Sequence, residues 1–145
     1  MKHAQKPNAF TIPVRIYYED TDAGGVVYYS NYLKYLERCR TEWLREIGHD
    51  QADLLRDPGI AFVVRSVSLE YLKPARLDEL LSVSLEVEKI TRSQIFFRQH
   101  IRRLNAEGGW DELINGKIQI VCVNAAEMKI TSIPNPLRTK LEALQ

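Results

Sequence analysis

The sequence predicts an α+β domain in which one long helix packs against a curved antiparallel sheet. Two observations support this: apolar residues recur every three or four positions in one segment, and they alternate with polar residues in several others. The chain has 145 residues, of which 45% are hydrophobic and 27% are charged, so it can bury its own core. We expect a single domain over 1–145, with a core from about 14 to 128 and flexible tails.

The first two elements are a strand and the long helix. Apolar and polar residues alternate from Val14 to Tyr18, which predicts the strand. The helix is predicted from about Ser30 or Asn31 to Ile47. Its apolar stripe has helical spacing and consists of Tyr32, Leu36, Cys39, Trp43 and Ile47. Ser30 or Asn31 can cap the first turn of this helix, and Gly48 can end it.

Four more strands follow a short helix at Leu54 and Leu55. They are predicted at about 61–71, 81–88, 95–102 and 114–122, where apolar and polar residues alternate. Short turns between them predict antiparallel hairpins, and therefore a meander. One amphipathic helix can bury its stripe against five strands by lying across the concave face of the sheet, which is the hot-dog arrangement. The unpaired edge of such a sheet favours at least a homodimer.

Composition and charge argue against several classes of protein. The net charge of +1 gives no general attraction to nucleic acid or to an anionic membrane. No segment approaches the ~18 consecutive apolar residues of a membrane span, and residues 1–13 lack the apolar centre of a signal peptide. Cys39 and Cys122 have neither zinc-ligand nor disulfide-framework spacing. We therefore expect a cytoplasmic protein with buried thiols, no metal, no cofactor, no bound nucleic acid and no membrane insertion.

The segment from Tyr18 to Tyr32, YEDTDAGGVVYYSNY, joins the first strand to the long helix. It contains two carboxylates and a glycine pair. An acid held at a helix N-terminus can attack a carbonyl or deliver water to it, while the free N–H groups of the helix polarise the carbonyl oxygen. On local pattern alone, Asp22 before the glycine pair is typical of a turn former. Asp20, which ends the predicted strand, is interpreted as a structural residue.

The segment from Tyr18 to Arg40 closely resembles the loop and helix of the hot-dog acyl-CoA thioesterases. The nearest match is the Tol-Pal-associated, YbgC-type branch of the 4-hydroxybenzoyl-CoA thioesterase family. The likeness extends from about Val14 to Met128 and includes Ala61-Phe-Val-Val-Arg65 and Tyr71-Leu-Lys-Pro-Ala-Arg76. It implies a homodimeric or homotetrameric enzyme that hydrolyses acyl-CoA thioesters, with short aliphatic acyl groups as the expected substrates.

The resemblance also implies which residues form the site. Asp22 is the catalytic carboxylate, either as nucleophile or as general base, and the backbone N–H at about Tyr29 binds the oxyanion. Many relatives of this branch have His where this chain has Tyr29. Asn31 is either a helix cap or a substrate contact that positions water or the acyl carbonyl. Arg92 and Ser93, in a predicted hairpin turn, are expected at the nucleotide end of CoA.

Two other functions remain open. A hot-dog hydratase or dehydratase usually has a His with an acid at the start of the helix, where this chain has tyrosines. A non-catalytic partner of acyl carrier protein, or of phospholipid-synthesis enzymes, would dock through the arginine-rich strand. The arginines of that strand fit a solvated face and a phosphate site equally well; they are Arg98, Arg102 and Arg103.

Overall fold

The computed structural model describes residues 9–144, which form one antiparallel sheet and three α-helices. The strands are β1 (Phe10–Arg15), β2 (Ile60–Tyr71), β3 (Leu80–Ile90), β4 (Gln94–Leu104), β5 (Trp110–Asn124) and β6 (Lys129–Ile130). The α-helices are α1 (Tyr29–Glu46), α2 (Gln51–Arg56) and α3 (Asn135–Glu142), and a single 3-10 turn covers Tyr18–Asp20. The predicted α+β class is confirmed.

The predicted meander is correct only for β3, β4 and β5. The sheet order is β1-β3-β4-β5-β2, so β2 pairs with β5 and β3 pairs with β1. The connection 72–79 is longer than the about 2–5 residues of a hairpin loop, so β2 and β3 do not become neighbours. This connection, called the crossover below, carries the chain past the ends of β5 and β4. It leaves β2 at one edge of the sheet.

Helix α1 packs its apolar stripe onto the sheet. Its buried face consists of Asn31, Tyr32, Tyr35, Leu36, Cys39, Trp43 and Leu44, and Ile47 at its end is half-buried. The buried side chains of α1 belong to the same hydrophobic cluster as Leu81, Ile95 and Phe97 of the strands. Trp43 meets Phe97 edge to face, with 5.2 Å between ring centroids. The predicted stripe is therefore the face that the sheet covers.

Two predicted boundaries need correction: the end of the first strand and the C-terminal limit of the core. Strand β1 ends at Arg15, because Tyr18 belongs to the 3-10 turn and is 83% exposed. The core does not stop at 128, since β6 extends the sheet and α3 buries Leu137 and Leu141 completely. The expected flexible C-terminal tail is thus an ordered helix up to its end at Glu142. The N-terminal tail, 1–8, lies outside the described residues.

Two expectations from composition can also be compared with the structure. Cys39 and Cys122 are free and completely buried, as expected. Burial raises the pKa of the Cys39 thiol to about 12 and that of Cys122 to about 11, so both thiols stay protonated at neutral pH. Within residues 9–144, no helix combines the length and the apolar character needed to cross a bilayer.

The contribution of α3 to the core can be measured with Leu137→Ala. This change removes a completely buried side chain, so we expect the free energy of unfolding in urea to fall by about 2–5 kcal/mol. Leu144→Ala, at a position that is 42% exposed, is the matched control and should change it by less than about 0.5 kcal/mol. Equal stability of the two variants would show that α3 does not belong to the core.

Candidate active site

The loop between β1 and α1 is a tight hairpin. The Asp22 N–H donates to the Val26 carbonyl at 2.9 Å, and the Gly25 N–H donates to the Asp22 carbonyl at 3.0 Å. Thr21 and Val27 form an isolated antiparallel bridge at the base of this hairpin. Gly25 has a φ of +78°, a conformation that glycine adopts without a steric cost. These bonds fix the position of Asp22 relative to the start of the helix.

The two oxygens of the Asp22 carboxylate have different surroundings. Oδ1 accepts the Gly24 N–H at 2.8 Å and the Val26 N–H at 3.3 Å. A Cβ atom on residue 24 would lie 3.3 Å from this oxygen, so the absence of a side chain at Gly24 allows the close approach. Oδ2 accepts no hydrogen bond from any of residues 9–144. The half-buried Asp22 is therefore a turn former that keeps one carboxylate oxygen unbonded.

Helix α1 begins at Tyr29, and Tyr28 is its N-cap residue without a capping bond from a side chain. The expectation that Ser30 or Asn31 caps the helix is wrong. Across the part of the chain that the structure describes, no carbonyl or side chain accepts from the N–H groups of Tyr29 and Ser30. Unpaired N–H groups at a helix N-terminus carry partial positive charge and bind anions. The start of α1 thus presents free donors.

Asn31 anchors the loop instead of capping the helix. It is only 8% exposed, and its Nδ2 donates to the Asp20 carbonyl at 3.0 Å. The same carbonyl accepts the Tyr28 N–H at 3.2 Å, and the Asp20 carboxylate accepts the Tyr17 N–H at 2.8 Å. Asp20 is therefore structural, as expected from its position. Asn31 is not part of the cavity wall described below.

The crossover closes the site from the other side. Ala75 is completely buried, and both of its backbone groups are used there. Its N–H donates to the Tyr32 hydroxyl and its carbonyl accepts the Val27 N–H, each at 2.9 Å. Burial raises the pKa of the Tyr32 hydroxyl, and the bond from Ala75 offsets part of this rise. Tyr32 is thus a neutral phenol that ties the helix to the crossover.

A cavity of about 340 Å³ opens between the loop, the start of α1 and the crossover. Its wall includes Asp22, Tyr28, Tyr29, Tyr32, Tyr71 and Lys73. The Tyr71 ring lies 4.9 Å from the Tyr29 ring and 5.9 Å from the Tyr32 ring, measured between centroids. The structure therefore brings the expected catalytic residues Asp22 and Tyr29 to one aromatic cavity. No group of three or more His, Cys, Asp or Glu side chains within 9–144 is arranged to hold a metal ion.

The crossover residues in this wall are functional candidates for which the sequence pattern predicts no role. Lys73 is the one basic residue among the described residues that line the cavity. Its ammonium lies 3.6 Å from Asp111 Oδ1, and its side chain is 56% exposed. The segment Tyr71–Arg76 belongs to the family likeness, and that likeness is the available sequence signal for it. Its place in the wall depends on the crossover and could not be read from spacing.

Arg92 and Ser93 lie at the other end of the sheet. Arg92 Nη1 donates to Ser132 Oγ at 2.6 Å, and the Ser93 carbonyl accepts the Cys122 N–H at 2.7 Å. Tyr71 of β2 and Ile101 of β4 both pair with Ile114 of β5, so they lie at the same level along the strands. The cavity lies beyond this level, at the end of β2. From the start of β4 to Ile101 the chain runs about 23 Å at 3.3 Å per residue. A single chain therefore does not bring these two residues to the cavity.

The arginines of β4 form ion pairs with acidic residues of the neighbouring strands and of the crossover. Arg98 contacts Glu88 at 3.2 Å, Arg102 contacts Glu112 at 2.6 Å, and Arg103 contacts both Glu79 and Asp111 at 2.9 Å. Arg102 is only 7% exposed. Arg103 also donates to the Pro74 carbonyl at 3.2 Å, which supports the crossover. These contacts favour a structural role for the three arginines over a phosphate site.

Comparisons with known proteins identify the family and the fold. The family model of the thioesterase superfamily matches residues 24–108. The chain is 38% identical to the acyl-CoA thioesterase YbgC of Haemophilus influenzae, over 95% of this chain and 98% of that protein. It is 42% identical to the acyl-CoA thioester hydrolase YbgC of Escherichia coli O157:H7, over 88% of this chain and 92% of that protein. The fold resembles that of 4-hydroxybenzoyl-CoA thioesterase from a Pseudomonas species, with a TM-score of 0.83 at 19% identity, covering 91% of this chain and 98% of that one.

The bond between Tyr32 and Ala75 can be tested with Tyr32→Phe. The change leaves the buried Ala75 N–H without its acceptor, so we expect the free energy of unfolding to fall by about 1–3 kcal/mol. Tyr71→Phe is the matched control for stability, because that residue packs against Tyr32 and is 47% exposed. If urea unfolding gives the same value for both variants, the crossover is not held by this bond.

Proposed function

This chain belongs to the thioesterase superfamily, and on that basis we propose that it hydrolyses acyl-CoA thioesters to the free acid and CoA. The observation that carries the proposal is the cavity shared by Asp22 and the free N–H groups at the start of α1. A carboxylate and an oxyanion donor beside one cavity are the two groups that acyl transfer to water requires. The relatives named as acyl-CoA thioesterases support the same substrate class.

The reaction can follow either of two routes from the same geometry. In one route, Asp22 Oδ2 attacks the thioester carbon, the CoA thiolate leaves, and water opens the resulting mixed anhydride. In the other route, Asp22 accepts a proton from the attacking water, and the proton passes to the departing thiolate. In both, the Tyr29 N–H donates to the oxyanion, a contribution of about 3–4 kcal/mol where single donors have been removed from other enzymes.

Three considerations favour hydrolysis over the two alternative functions: the leaving group, the residues of the cavity wall and the ion pairs of β4. Thiolates leave readily, so a complete Ser-His-Asp system is not needed. No His lines the cavity within the described residues, which argues against a hydratase that uses His with an acid. The ion pairs of Arg98, Arg102 and Arg103 reduce the case for a docking strand that binds acyl carrier protein.

The acyl group that we propose is short and aliphatic. The cavity has a volume of about 340 Å³, and its wall combines four tyrosines with aliphatic side chains, which favours a small apolar acyl group beside Asp22. Asn31 contributes indirectly, because its bond to Asp20 holds the loop that carries Asp22. A panel of short- and long-chain acyl-CoAs, followed by thiol release, measures this preference.

The active unit that we propose is a homodimer formed through β2, alone or within a homotetramer. Strand β2 is an edge strand of twelve residues and exposes Val64 and Val67, an arrangement prone to pair with another strand. When two copies of β2 pair antiparallel about a two-fold axis, Ile60 at the start of one strand lies near Tyr71 at the end of the other. The turn with Arg92 and Ser93 of the second copy would then approach the Asp22 cavity and contact the nucleotide end of CoA.

The role of Asp22 can be tested with Asp22→Asn. The amide oxygen of Asn still accepts the Gly24 N–H, so the turn and the fold should persist while the charge is lost. We expect thiol release from acyl-CoA to fall by several orders of magnitude, on the scale of about 10⁴ for removal of a catalytic group. Asp57→Asn, in an exposed position, is the control and should keep wild-type turnover. Wild-type rates in purified Asp22→Asn would contradict the assignment.

The dimer can be tested by mixing two defective chains. Asp22→Asn lacks the carboxylate, and Arg92→Gln is expected to raise KM about tenfold through the loss of a charged phosphate contact. If Asp22 and Arg92 of different copies share a site, each mixed dimer holds one intact site and one defective site. Half of the dimers are mixed, so mixing should restore about a quarter of the wild-type kcat/KM. No recovery on mixing would mean that each chain uses its own Arg92, or none.

A separate variant tests the edge strand itself. Val67→Lys places a charge on an exposed position of β2 and should yield monomers with low thioesterase activity, as measured by light scattering and thiol release. Leu104→Lys, which is 59% exposed at the end of β4, is the matched control and should remain a dimer. A dimeric and active Val67→Lys protein would exclude pairing through β2.

A further inference from the structure

The C-terminal helix α3 contacts the turn between β3 and β4 through the side chain of Arg138. This turn consists of residues 91–93. Arg138 Nη2 donates to the Thr91 carbonyl at 2.6 Å and to the Arg92 carbonyl at 2.7 Å. A guanidinium holds its N–H groups in one rigid plane, so two bonds from it fix the orientation of their acceptors as well as their position. Arg138 therefore sets the course of the backbone through the turn.

The ion pair of Arg138 does not account for this arrangement. Its Nη1 lies 3.7 Å from Glu142 Oε2, and the Glu142 side chain is 59% exposed, whereas that of Arg138 is 23% exposed. Exposed pairs of this kind contribute little to stability, because solvent and salt screen them. The shorter bonds to the two carbonyls are the better-defined contacts of this side chain. Its position is thus matched to the turn.

All three carbonyl oxygens of residues 91–93 accept hydrogen bonds from the segment that leads into α3 or from α3 itself. Arg138 binds the first two, the Ile133 N–H also donates to the second at 2.9 Å, and the Cys122 N–H donates to the third at 2.7 Å. A carbonyl oxygen carries partial negative charge and repels an anion unless a donor neutralises it. The backbone of this turn therefore does not oppose the approach of a phosphate group.

The side chain of Arg92 remains accessible on the same turn. It is exposed, and its Nη1 donates to Ser132 Oγ at 2.6 Å. No carboxylate within residues 9–144 contacts its guanidinium. An arginine without an acidic partner has N–H groups left to bind phosphate oxygens, often two at once. Arg92 is also the residue proposed above to contact the nucleotide end of CoA.

We propose that Arg138 holds the turn 91–93 in the shape that presents Arg92 to the phosphates of CoA. Arg138 is then a positioning residue, because its guanidinium contacts the turn and not the ligand. Without it, the turn has to be ordered when CoA binds, and that ordering reduces affinity. The inference rests on the proposed thioesterase function, and it holds whichever copy's cavity the turn serves. It assigns to α3 a role in CoA affinity that leaves the reacting atoms untouched.

The test compares acyl-CoA with acyl-pantetheine, a thioester of the same acid that lacks the nucleotide and its phosphates. For Arg138→Gln we expect KM for acyl-CoA to rise by about threefold to tenfold, with a change in kcat of less than about twofold. Both constants for acyl-pantetheine should stay at wild-type values, because this substrate does not reach the turn. Glu142→Gln is the matched control. It removes the ion pair, keeps both carbonyl bonds, and should match the wild type with both substrates.

A double variant separates positioning from direct contact with phosphate. Because Arg138 acts through Arg92, adding Arg138→Gln to Arg92→Gln should raise KM for acyl-CoA no further. Losses that multiply would mean that Arg138 binds the phosphate itself, and they would overturn the inference. A wild-type KM for acyl-CoA in Arg138→Gln would do the same. So would an equal loss with both substrates, which is the result of a general structural defect.

Binding of CoA alone, measured by calorimetry, separates this inference from the proposed function. We expect the Kd for CoA to rise by the same factor as KM in Arg138→Gln. If that rise is found in a protein that hydrolyses neither substrate, only the proposed function fails. If Arg138→Gln binds CoA as tightly as the wild type and thioesterase activity is present, only the positioning role fails.

Discussion

The site depends on the two backbone bonds of Ala75. This residue lies in the crossover and is completely buried, so its N–H and its carbonyl must both find partners inside the protein. The partners are the Tyr32 hydroxyl on α1 and the Val27 N–H in the loop. Through these two bonds, Ala75 joins the helix, the loop and the crossover. The cavity is the space that remains between these three segments, so its shape follows from this contact.

The same crossover explains why β2 is an edge strand. The chain leaves β2 at Tyr71, passes the ends of β5 and β4, and returns as β3 on the far side of β4. One connection thus builds a wall of the cavity and leaves β2 with an unpaired side. A second copy that pairs with β2 also approaches the cavity, because Tyr71 belongs to both the edge strand and the cavity wall.

Sequence pattern predicted the elements better than it predicted their arrangement. On β4, Ile95, Phe97, Gln99 and Ile101 are all buried, as their alternation indicates, because the strand is regular over that stretch. On β2 a bulge between Val64 and Ser66 shifts the register, so Val63 and Val67 do not share the face that simple alternation predicts. The pairing of β2 with β5 joins residues far apart in sequence. Local periodicity carries no information about such a pairing, nor about the burial of α3.

For the site, the family motif predicted Asp22 and Tyr29, whereas the contacts that hold them in place could not be predicted. Asn31 reaches Asp20, and Tyr32 reaches Ala75, only in the folded chain. In the structure, a turn-forming role of Asp22 is compatible with the reactive role proposed for it. Oδ1 is used by the turn, and Oδ2 is unbonded in a residue that lines the cavity. The turn fixes the carboxylate through Oδ1 and thereby holds Oδ2 in a defined position for the proposed reaction. A freely rotating carboxylate would have no such defined position.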